Sequence, residues 1–76
     1  MAEIPDQNII LILELLCKEY RDPSNRSLLN GFGMAVATLY SIPYYQLMRE
    51  VSKITLDTSN PRSWPIKLFE YLENFN

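Results

Sequence analysis

Residues 9–21 run Ile9-Ile10-Leu11-Ile12-Leu13-Glu14-Leu15-Leu16-Cys17-Lys18-Glu19-Tyr20-Arg21. The positions on which a helix would turn its wet side here are Gln7, Glu14, Lys18 and Arg21, spaced 7, 4 and 3 apart. That spacing puts them on one narrow stripe of a helix with about 3.6 residues per turn. Nearly everything between them is Ile, Leu or Cys. A strand over residues 9–13 is the competing reading, because β-branched residues are frequent there. The length of the pattern and the straight-chain residues that follow favour a helix from about Asp6 to Tyr20, opened by Asp6 or Pro5.

Three breaker clusters lie downstream: Asp22-Pro23-Ser24-Asn25, Ser41-Ile42-Pro43 and Asp57-Thr58-Ser59-Asn60-Pro61. They cut the chain into four segments, each of which reads as a helix. The second spans about Ser27 to Tyr40, with Leu28, Leu29, Phe32, Val36, Leu39 and Tyr40 on its apolar stripe. Gly31 and Gly33 oppose it, since glycine in a helix interior costs about 1 kcal/mol relative to alanine. The alternative start is near Met34.

The third segment spans about Pro43 to Leu56, with Ser41 as the expected N-cap. Tyr44, Leu47, Met48, Val51 and Ile54 form its buried stripe, and Gln46, Arg49, Glu50 and Lys53 its wet face. The fourth spans about Ser63 to Phe75, with Ser63 as cap and Pro65 in the first turn. Its stripe is Trp64, Leu68, Tyr71, Leu72 and Phe75, with Ile66 and Phe69 on a second one. The expected fold is therefore all-α: one small domain over residues 1–76, of about four short helices, bundle-like, completed by dimerisation.

The 76 residues are 47% hydrophobic and 21% charged, with 2 Gly and 5 Pro. That composition fits a globular chain and not a disordered or collagen-like one. A net charge of −2 has the wrong sign for a general nucleic-acid binder. A single cysteine excludes an internal disulfide. The chain shows no basic leader segment, and no apolar run approaches the ~20 residues of a membrane span. Cytoplasmic location is the expectation.

Chemistry is hard to place. Histidine is absent, which removes the commonest general base and metal ligand. Cys17 lies in an apolar run without a base and reads as a buried hydrophobe. Glu70 and Glu73 share a helix face but read as solvated. Asn30-Gly31-Phe32-Gly33 lacks the third glycine and the lysine of a phosphate loop. No catalytic residue, cofactor, metal or small-molecule substrate is expected.

Two functions are left. The first and fourth segments are apolar over most of their circumference, and three short partners cannot surround both. The leading expectation is a non-enzymatic interaction module: a small regulator, adaptor or inhibitor binding through helix faces. Its partner is a protein, with a homodimer foremost, and its contact residues are Tyr45, Arg49, Ile66 and Phe69. The alternative is a helix-turn-helix-like DNA-binding regulator over residues 35–54. Ala37, Ile42 and Leu47 suit its core, and Tyr44, Tyr45, Gln46, Arg49 and Lys53 would face DNA. A turn without glycine, the bulky tyrosines and the acidic balance oppose it.

Overall fold

The computed structural model describes residues 7–75, so the proposed helix start at Asp6 or Pro5 lies outside the described residues. Helix α1 spans Gln7–Arg21, α2 Arg26–Tyr40, α3 Tyr44–Ile54 and α4 Trp64–Glu73, the last preceded by a 3-10 turn at Pro61–Ser63. The strand reading of residues 9–13 does not hold: they are helical. The radius of gyration is 11.5 Å, close to the roughly 11 Å of a compact chain of this length.

The breaks form for local reasons. Pro23 disfavours helix at Asp22. The chain then turns around Glu19, whose carboxylate accepts the Ser24 and Asn25 amides at 2.8 and 3.2 Å. Asn25 caps α2, its Oδ1 accepting the amides of Ser27 and Leu28. From there α2 runs through both glycines without a break, so the later start near Met34 is not observed.

Ser41 does not cap α3. It closes α2 in the left-handed conformation, with φ 56° and ψ 43°. Its amide reaches Thr38 O and the next amide, of Ile42, reaches Ala37 O. This paired closure satisfies the last carbonyls of a helix and ordinarily uses glycine. Pro43 precedes α3, and its carbonyl takes the Gln46 and Leu47 amides. Ser63 likewise makes no side-chain cap to α4; its Oγ donates back to Asn60 O. The loop before α4 is pinned by Trp64, whose indole N–H donates to Asp57 O at 2.7 Å.

Helix α1 is the hub, packing most extensively on α4, then on α2, and more lightly on α3. Leu13, Leu16, Leu47, Val51 and Leu68 are fully shielded, with Val36, Ala37, Ile42, Trp64 and Leu72 around them. Close approach of α2 and α3 depends on Gly33: a Cβ there would stand 2.7 Å from Cε1 of Tyr44 and 3.1 Å from Sδ of Met48.

The expected surplus of apolar surface is redistributed. On α4, Trp64, Leu68 and Leu72 are buried, Phe69, Tyr71 and Phe75 pack against the core, and Ile66 is the large apolar side chain left exposed. On α2, which was expected to bury Leu28 and Leu39, both are exposed along with Met34. On α1, Leu11, Ile12 and Leu15 are exposed as expected of a helix apolar nearly all round.

Candidate functional site

The four expected contact residues do not converge. Tyr45 and Arg49 lie one turn apart on the outer side of α3, both exposed, Tyr45 at 70%. Ile66 is exposed on α4, and Phe69 is half-buried against the core. The side of α4 that meets α3 carries Lys67, Tyr71 and Asn74 around Gln46, whose amide donates to the Tyr71 hydroxyl at 3.3 Å. At about 100° per residue, Ile66 and Phe69 fall on other flanks of α4. The residues thus form two separate groups.

The helix–turn–helix outline over residues 35–54 is present as α2, a turn of Ser41, Ile42 and Pro43, and α3. Ala37, Ile42 and Leu47 are buried as that outline needs. The left-handed Ser41 does the work of the missing glycine. The outer side of α3 offers Tyr45, Arg49 and Lys53, but Lys53 lies 3.9 Å from Glu50, and the Tyr44 hydroxyl is held by Asn30 Oδ1 at 3.0 Å.

Reactive side chains are turned to structural use. Cys17 is fully shielded, and burial, with Glu14 nearby, pushes its thiol up to about 12. A thiol so placed is a poor nucleophile at neutral pH. Burial also raises the Tyr40 hydroxyl, helped by Glu73. Glu19 is held below its ordinary value by the Ser24 amide and hydroxyl and the Asn25 amide. Asp57 is held low by the Ser59 hydroxyl and amide, and it faces Lys67 at 3.7 Å. Among the described residues no cluster of three or more acidic or Cys side chains is placed to hold a metal ion, and no helix is long and apolar enough to cross a membrane.

The largest coherent feature is one that sequence reading missed. Helices α1 and α2 run antiparallel, and two shallow apolar grooves follow their seam. One groove is lined by Ile9, Ile12, Ala35, Leu39 and Tyr40, the other by Leu15, Leu28, Phe32 and Trp64 with Lys18 and Glu19 at its rim. Along this seam Ile12 is 37%, Leu15 40%, Leu28 44% and Leu39 63% exposed. The available signal was the width of the apolar arc of α2. From Leu28 through Val36 round to Met34 the apolar residues cover about two thirds of the helix circumference, more than contacts with α1 and α3 bury.

No protein-family model, curated protein or solved structure matches this chain.

Proposed function

We propose that the chain is a non-enzymatic protein-interaction module, a small regulator, adaptor or inhibitor, that binds a protein through the face shared by α1 and α2. The observation that carries this reading is the row of exposed Ile12, Leu15, Leu28 and Leu39 along one seam, with Leu11 beside Leu15 on the outer side of α1. Full burial of such a side chain is worth about 1.5–3 kcal/mol. Five of them, each about half exposed, leave on the order of 5 kcal/mol unrealised in the isolated chain. Contiguous apolar surface of this kind marks interaction sites. Cytoplasmic location belongs to the same reading, supported by a sequence whose single cysteine, Cys17, is buried and leaves the fold with no disulfide of its own.

The test is capture from the native host by the wild-type chain and by Leu28→Glu and Leu39→Glu, with circular dichroism to verify folding. Loss of a wild-type partner in both folded variants is the expected result. Identical capture by all three would overturn the reading.

DNA binding through α3 is the second reading, favoured by the left-handed Ser41 closing a three-residue turn. Phosphate contacts make such binding fall steeply with salt. Retention on duplex DNA that weakens with salt and is lost in Arg49→Ala would replace the interaction reading with this one.

A further inference from the structure

Gly31 sits inside α2 in ordinary helical conformation, and a Cβ built there meets nothing within 4 Å. Glycine is the weakest helix former after proline. At Gly33 the tight approach of Tyr44 explains its presence; at Gly31 nothing among the described residues does. Leu28, Gly31, Ala35 and Leu39 follow at spacings of 3, 4 and 4, so they share one stripe of α2, beside Ile12 and Leu15 of α1.

We propose that this α1/α2 face seats the same face of a second copy of the chain, with α2 crossing its counterpart at Gly31. This rests on the interaction reading above and names its partner. Charge supports the choice. In a two-fold contact the same patch meets itself, so a face with one sign of charge at its centre would repel its copy. Residues 27–40 of α2 carry no charged side chain. The charges that line the adjoining groove, Lys18, Glu19, Arg21 and Asp22, are two of each sign. Such a face is its own complement and has little with which to steer a charged foreign partner.

Area sets the strength. Two helices of 15 residues are roughly 22 Å long and about 10 Å wide each, a projected face of about 450 Å² per copy. Standard interfaces bury about 800 Å² per partner. The dimer is therefore weak and reversible, and each monomer keeps its own closed core, with Leu13, Leu16, Leu47 and Leu68 fully shielded.

Sedimentation equilibrium of the full chain from micromolar to millimolar concentration tests this. The wild type should pass reversibly from monomer to dimer. Gly31→Leu should weaken dimerisation at least tenfold while keeping the helical spectrum and a melting temperature at low concentration no lower than that of the wild type. Tyr45→Ala, on the outer side of α3, should leave it unchanged. Gly31→Cys should give a disulfide-linked dimer on mild oxidation, whereas Arg62→Cys should not. A wild type that stays monomeric throughout, or a dimer indifferent to a folded Gly31→Leu, overturns the proposal. If the chain stays monomeric and Leu28→Glu still abolishes capture of a foreign protein, this inference fails and the interaction reading stands. If capture is also unaffected, both fail.

Discussion

Gly33 carries the ring of Tyr44 against the backbone of α2: Cε1 would lie 2.7 Å from any Cβ at that position. The same ring ends in the hydroxyl that donates to Asn30 Oδ1, so the α2–α3 contact is fixed at both ends of one side chain. Gly33→Ala should displace the ring. Overpacking costs about 1–3 kcal/mol, offset by about 1 kcal/mol of helix propensity. The expected net loss is about 1 kcal/mol. Gly31→Ala meets no such obstacle and should gain roughly 0.5–1 kcal/mol. Thermal melts at low concentration should show the two alanines moving in opposite directions. Equal and positive shifts would mean that the Tyr44 ring gives way freely.

Ser41 is the residue outside glycine that holds a left-handed backbone among the described residues. That conformation costs an L-residue about 1–2 kcal/mol, against the extra freedom glycine brings to the unfolded chain. Ser41→Gly should stabilise the fold by about 0.5–1 kcal/mol. Ser41→Val should destabilise it, because β-branched residues tolerate this region worst. Chemical denaturation of the two variants checks both signs.

Burial keeps Cys17 protonated in the folded chain to about 12, against an ordinary value of 9.0. The unfolded chain loses that proton first, so stability from this group is whole below pH 9.0 and falls as the pH rises. The slope is about 1.4 kcal/mol per pH unit. Cys17→Ala should show a correspondingly flatter alkaline unfolding curve. In the native wild type the thiol should react slowly with a thiol reagent at neutral pH, and rapidly once denatured.

Glu19 and Asp57 work in the opposite direction. Their folded carboxylates are held below the ordinary 4.5 and 3.8, chiefly by hydrogen bonds from Ser24 and Ser59. Their contribution is complete above those ordinary values and is lost as the pH falls through the lower folded ones. Glu19→Gln should melt lower than the wild type at neutral pH, and the gap should close in acid. A gap that persists at low pH would mean that the Glu19 charge is not what orders the turn before α2.

All four helices were legible in the sequence because their causes are local. The 7, 4, 3 spacing of Gln7, Glu14, Lys18 and Arg21 and the breakers Pro23, Pro43 and Pro61 act within a few residues of themselves. The burial of Cys17 and the exposure of Tyr45 also agree with expectation, Cys17 from the apolar run of α1 and Tyr45 from its place beside the wet face of α3. Caps were less legible. Ser41 and Ser63 have the right side chains to open helices, but the chain uses one to close α2 and the other to close a 3-10 turn.

Exposure at the edges of an arc was decided by tertiary structure alone. Whether Leu28 and Leu39 are wet depends on which flank of α2 a neighbour covers, and α1 and α3 leave that flank open. Phe69 is half-buried for the converse reason, as it packs against the core. The difference between Gly31 and Gly33 has the same origin. Two glycines of identical local propensity sit two residues apart, and only the arrival of Tyr44 from another helix makes one of them necessary to the monomer.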